Sequence, residues 1–180
     1  MRAREWHCGP FDFDLATPLV MGICNVTPDS FSDGGMHATA SEALEHAKKL
    51  IAAGADIIDV GGESTRPGAE EVPPEVEIAR VLPVVRELVS HGVAVSVDTR
   101  HASVAEVCVD AGACIVNDVS GFRSADMREV AARGDAGLVV MHMRGTPKTM
   151  QDAPAYDDVV HEVEQEMMRM VTRLTTEGVE

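Results

Sequence analysis

Five short apolar runs in this chain each lead into residues that can hydrogen-bond or carry charge. Leu19–Cys24 is followed by Asn25, and Ile57–Val60 contains Asp59 and opens into GGESTRPG (61–68) with Glu63, Ser64, Thr65 and Arg66. Val93–Val97 is followed by Asp98, Thr99 and Arg100, Cys114–Val116 by Asn117 and Asp118, and Leu138–Met141 by His142, Met143 and Arg144. Arg66, Arg100, Arg123, Arg144 and Lys148 all follow such runs, so the sequence describes a locally basic, anion-binding mouth in a chain of formal net charge −15.

Each residue also has a plainer reading. Asn25 can satisfy the backbone of a turn, Asp98 can cap the helix behind it, and Asn117-Asp118 can be a turn alone. Met141 reads as core. No second His or Cys stands at ligand spacing from His142, which reads as a packed or loop histidine. Ser64 has no base near it in sequence, which argues against a serine hydrolase.

The elements that must position these groups follow from hydrophobic period. Near-continuous apolar runs are the mark of parallel strands covered on both faces. Between them lie amphipathic helices. One is capped by Ser41 and stopped by Gly54, with Leu44, Ala47 and Ile51 on one face. A second spans about 75–90, where Pro83 implies a kink or a late start. The others span 102–110, 126–133 and 157 to near the end. AGADIIDVGG (53–62) and AGACIVNDVSG (111–121) echo one another, each with a glycine stop, a strand and a polar loop. Repeated βα units imply a parallel α/β fold. No GxGxxG follows the first strand and the polar groups are spread over all strand ends, so a TIM (β/α)8-type barrel is expected over a doubly wound sheet. Five units fall short of the eight of a whole barrel, which needs about 250 residues. The alternating segment before residue 19, including Phe11 and Phe13, reads as a hairpin closing the barrel floor.

Residues 1–180 are expected to form one domain. The acidic balance argues against nucleic acid or an anionic membrane as partner; acids on helices, such as those from Glu70 to Glu87, read as solvated faces. The first residues are charged, with no signal-peptide core behind them, and no run is long enough to span a membrane. Four cysteines without a CxxC pair read as small apolar fillers in a reduced, cytoplasmic protein. Two long connections, 26–40 and 61–74, exceed the roughly 2–6 residues usual between such elements and could close together over a ligand.

At these residues the sequence resembles the dihydropteroate synthase family, the folate-pathway enzymes targeted by sulfonamides. MGICNVTPDSFSDGG (21–35) and GADIIDVGGESTRPGA (54–69) are similar to its two signature segments, and SVDTR (96–100), IVNDVSG (115–121) and VVMHMRGTPKTMQ (139–151) follow in the family's order. The resemblance implies a pyrophosphate-releasing transferase that joins 6-hydroxymethyl-7,8-dihydropterin pyrophosphate to p-aminobenzoate with Mg2+. It implies that Asn25 touches the metal, Thr65 the phosphates, Asp98 and Asn117 the pterin ring, and that Met141 lines the pterin slot. Phe31, Asp33, Arg66 and Pro67 would order around p-aminobenzoate, with Asp33 and Arg66 catalytic. A carboxylate and an amide match the in-plane donors and carbonyl of an aminopyrimidinone edge.

The family also uses an Asp, a Lys and an Arg-x-His from later strands, and dimerises through later helices. A fragment of a longer enzyme, or a short form inactive unaided, is therefore expected. Two other readings compete. A pterin-binding methyltransferase shares the fold but has no need of the SFSDGG and STRPG segments; a non-catalytic half-barrel module would leave unpaired strand edges.

Overall fold

The computed structural model describes residues 5–27, 35–64, 71–146, 149–150 and 155–179, with backbone only for 35–39. It opens with an antiparallel hairpin, β1 (Glu5–Cys8) and β2 (Phe11–Asp14), in which Trp6 faces Phe13 and Cys8 faces Phe11. Five βα units follow: β3 (Met21–Asn25) and α1 (Gly35–Ala52), β4 (Ile57–Gly61) and α2 (Pro74–Ser90), β5 (Ala94–Asp98) and α3 (Ala102–Asp110), β6 (Ile115–Asp118) and α4 (Ala125–Arg133), β7 (Gly137–Val140) and α5 (Val159–Thr176). The strands pair in parallel in the order β3-β4-β5-β6-β7. That unreversed order is the barrel's, since a doubly wound sheet turns back at a switch point. The expected TIM-type barrel, cut to five units and preceded by a hairpin, is the fold observed.

The pleat sends alternate side chains to opposite faces. Cys24, Ile58, Val60, Val95, Val97 and Val116 pack outward against Ala43, Ala47, Val81, Val85, Leu88, Val104 and Cys108 of the helices. The inner face is apolar at its base, where Met21, Ile57, Ala94 and Ile115 meet Cys8, Trp6, Phe11 and Phe13 of the hairpin. The hairpin therefore closes the floor, and the Gly9 amide fixes it by donating to the Asp135 carbonyl at 2.7 Å. All four cysteines are buried and free, as expected of fillers.

The fit of hairpin to barrel depends on Gly137 at the start of β7. A Cβ there would overlap the Cys8 Sγ and lie 2.9 Å from the Trp6 ring. Gly137→Ala is expected to lift the hairpin off the floor and lower stability by about 1–3 kcal/mol. Trp6, the one tryptophan of the chain, reports this directly as a red-shifted emission at a lowered denaturation midpoint.

Several local expectations need correction. α1 begins at Gly35, so Ser41 lies inside it rather than at its cap, and the first connection is 26–34 rather than 26–40. α2 starts at Pro74 and continues past Pro83. A proline suits the first turn, where its missing N–H has no partner to lose. Pro83 is tolerated because it and Ala79, whose carbonyl it leaves unpaired, both face solvent. The N-cap of α3 is His101, without a side-chain cap bond, so Asp98 is not a helix cap. Among the described residues no helix is long and apolar enough to cross a membrane.

Candidate functional site

Strand register gathers the polar strand ends into one line. Asn25 pairs with Gly61, Gly61 with Asp98, Asp98 with Asn117, and Asn117 with Val139. One pleat lower on the same inner face lie Ile23, Asp59, Ser96, Ile115 and Gly137. The inner face thus passes from an apolar floor, through a row containing Asp59 and Ser96, to a rim of Asn25, Asp98 and Asn117.

Gly61 leaves room at the rim. A Cβ on it would sit 3.4 Å from Asp98 Oδ2 and 3.5 Å from Asn25 Oδ1, so the two oxygens flank an open position. Those distances are ordinary contacts, and Gly61→Ala should fold normally. Its methyl would occupy the gap, and ligand affinity measured by calorimetry is expected to fall on the order of tenfold.

Asp98 Oδ1 is buried and has no hydrogen-bond partner among the described residues. Burial pushes the Asp98 carboxyl up to about 7, and the charges of Asp59, Asp118 and Glu63 add to the effect. Asp59 is also raised, chiefly by burial, and accepts from Asn117 Nδ2 at 3.1 Å. Asp118 is the turn-builder of the Asn117-Asp118 pair. It accepts from the Ser120 amide at 2.7 Å, the Ser120 hydroxyl at 2.8 Å and the Phe122 amide at 2.8 Å. These bonds hold Phe122 in the left-handed region at φ 57°. Met141 is half-buried directly after β7.

The second cluster lies between the end of β5 and α2. Arg100 donates to both Glu63 oxygens at 2.9 Å, and Glu63 Oε1 also accepts from the Val72 amide at 3.1 Å. Burial opposes ionisation of Glu63, but Arg100 and Val72 outweigh it and hold its carboxyl below the usual range. Glu77, fully buried, accepts from Thr99 Oγ1 at 3.1 Å and is pushed up to about 7, first by burial and then by Glu63 and Asp98. Ligand atoms of Glu63, Glu77 and His101 lie within 4.8 Å of one another, a set able to hold a divalent cation, although the Arg100 guanidinium competes for the Glu63 oxygens.

The locally basic mouth needs revision. Arg100 is neutralised by Glu63, Arg144 pairs with Glu162 and stacks on Tyr156, and Arg123 donates to the Met143 and Gly145 carbonyls. The described arginines brace loops, and the described interior is acidic. His142 is likewise a loop brace, 3.1 Å from the Tyr156 hydroxyl and 2.8 Å from Glu166.

Of the expected site residues, Asn25, Asp98 and Asn117 share one row and Met141 follows the strand beside it. Phe31, Asp33, Thr65, Arg66, Pro67 and Lys148 lie outside the described residues. Sequence reasoning did not pick out the Asp59–Asn117 bond or the burial of Glu77. A signal for Glu77 was present: it stands at helical spacing with Val81, Val84 and Leu88, the buried stripe of α2.

A family model described as pterin binding enzyme matches residues 21–180. A dihydropteroate synthase of Neisseria meningitidis is 49% identical over 91% of this chain and 58% of its own length. The Burkholderia cenocepacia dihydropteroate synthase complexed with 7,8-dihydropteroate superposes with a TM-score of 0.86 at 41% identity, covering 98% of this chain and 60% of that one. The Xanthomonas albilineans dihydropteroate synthase with 4-aminobenzoic acid gives 0.90 at 42%, covering 99% and 63%. The chain spans about three-fifths of the length of these relatives.

Proposed function

Because the chain belongs to the pterin-binding enzyme family, we propose that residues 1–180 form one domain carrying the pterin side of a dihydropteroate synthase site. The reaction is condensation of 6-hydroxymethyl-7,8-dihydropterin pyrophosphate with p-aminobenzoate to give 7,8-dihydropteroate and pyrophosphate, in the cytoplasm. Full turnover requires the Asp, Lys and Arg-x-His that the family supplies from later strands, and the complete enzyme is a homodimer. The observation that carries this reading is the shared row of Asn25, Asp98 and Asn117 above an apolar floor, with a buried Asp98 oxygen that has no partner among the described residues. Such an oxygen lacks the bond that buried polar groups normally make, and a ring N–H supplies it.

In this reading Asp98 accepts from the pterin edge, Asn117 pairs beside it, and Met141 forms a wall of the slot. Thr65 takes the phosphates, and Phe31, Asp33, Arg66 and Pro67 surround p-aminobenzoate, with Asp33 and Arg66 catalytic. Asn25 fits a magnesium ligand: its amide oxygen is a hard, neutral donor at the open rim, suited to an ion held mainly by phosphates. Mg2+ there would stabilise the negative charge gathering on departing pyrophosphate. No side-chain nucleophile is needed, since the conjugated pterin can spread the charge left at its exocyclic carbon.

Calorimetric titration with 6-hydroxymethylpterin, and with the pyrophosphate ester in the presence and absence of Mg2+, tests the proposal. Binding of both, with the ester alone strengthened by Mg2+, is the expected result. Absence of pterin binding by a folded chain would overturn it.

A further inference from the structure

We infer that Asp59 is a positioning residue that sets which way the Asn117 amide faces, an inference that rests on the pterin reading above. The two ends of an asparagine amide are close in shape, and the neighbours decide which one presents oxygen and which nitrogen. Asp59 Oδ2 takes one Asn117 Nδ2–H at 3.1 Å. An ionised carboxylate only accepts, so a flipped amide would set oxygen against oxygen. Asn117 is therefore held with its Oδ1 and its second N–H unbonded among the described residues and available to a ligand.

The fold makes this bond possible at long range. Asp59 is on β4 and Asn117 on β6, with β5 between them. Ser96 of β5, in register with Asp59, is small and buried, and its hydroxyl lies beside the Asp59 carboxylate. Asp59 itself is 5% exposed and lies in the middle of a strand paired on both sides, so its carboxylate is a rigid reference point. The two residues also occupy equivalent places in the repeated segments AGADIID (53–59) and AGACIVN (111–117). The repeat has placed an acceptor in one unit and a matching donor in the other.

The test compares 6-hydroxymethylpterin affinity of the wild type with that of Asp59→Asn, Ser96→Val, Asn117→Ala and the Asp59→Asn/Asn117→Ala double variant. Ser96→Val leaves Asp59 and Asn117 in place and exchanges the hydroxyl beside Asp59 for a bulkier apolar side chain on the strand between them, which covers the case that Asp59→Asn folds poorly. Asp59→Asn and Ser96→Val are each expected to weaken binding by roughly 10–100-fold. In the Asn117→Ala background Asp59→Asn should add less than about twofold, because its effect runs through the missing amide. An equal penalty in both backgrounds, or none in either, overturns the inference. The side-chain amide 15N–1H signals of Asn117 give a readout independent of ligand: both Asp59→Asn and Ser96→Val should shift them. Unchanged signals overturn the inference, whereas shifted signals in a wild type that binds no pterin uphold the bond and refute the functional reading alone.

Discussion

Glu77→Gln is expected to stabilise the protein at pH 8 and to leave it nearly unchanged at pH 4.5. Glu77 is fully buried on α2, and burial, with Glu63 and Asp98 nearby, pushes its carboxyl up to about 7 from 4.5. The native state therefore holds this proton more tightly than the unfolded chain does. The resulting stability is whole below about pH 4.5, declines as pH rises from there to about 7, and is gone above it. The displacement corresponds to about 3 kcal/mol. Glutamine reproduces the neutral form at every pH and can still accept from the Thr99 hydroxyl, which lies 3.1 Å from Oε2 in the native protein. The difference between variant and wild type should therefore open between pH 4.5 and 7 and stay constant above. Urea midpoints at pH 4.5, 6 and 8 measure it; a gap that does not grow with pH would show that Glu77 is ionised at little cost.

The contrast between Glu77 and the strands shows what the sequence exposes. β3 to β7 were legible because a strand covered on both faces needs apolar side chains at consecutive positions, as in Ile57, Ile58 and Val60. Helix ends were less so. Ser41 is a good capping residue in isolation, yet α1 already runs from Gly35, because Ala40, Ala43 and Ala47 pack against the sheet and carry the helix through it. Pro83 was read by its local cost, whereas the solvent on that side of α2 absorbs the cost.

The row of polar strand ends was legible in outline for a related reason. Parallel register brings strand ends to one rim, so Asn25, Asp98 and Asn117 could be grouped without coordinates. Their partners could not. The Asp59–Asn117 bond joins residues 58 apart, and the Arg100–Glu63 pair joins residues 37 apart. Counting cations behind strand ends gave a basic mouth, but charge type carries no record of whether a partner neutralises it. Arg100, Arg123 and Arg144 are all engaged by protein groups.

Pterin affinity is expected to rise with pH between 5 and 8, and Asp98→Asn should both weaken binding and remove most of that slope. Burial, reinforced by Asp59, Asp118 and Glu63, brings the Asp98 carboxyl to about 7. Accepting from two ring donors requires the ionised form. Below pH 7 the ionised fraction falls tenfold per unit, and the apparent dissociation constant rises in step, by roughly 100-fold at pH 5. The complex in turn holds Asp98 ionised to lower pH, as linkage requires. Replacing the carboxylate by an amide forfeits a charge-assisted bond, and affinity at pH 8 should fall by about 1.5–3 kcal/mol. The same change relieves repulsion from Asp59 and Asp118, so Asp98→Asn should melt higher than the wild type at pH 8 while binding more weakly. That opposition separates a ligand-contacting carboxylate from a structural one, whose loss would lower both. Calorimetry at pH 5, 6, 7 and 8, with a thermal melt of each sample, gives both quantities; a variant that binds as tightly as the wild type removes Asp98 from the site.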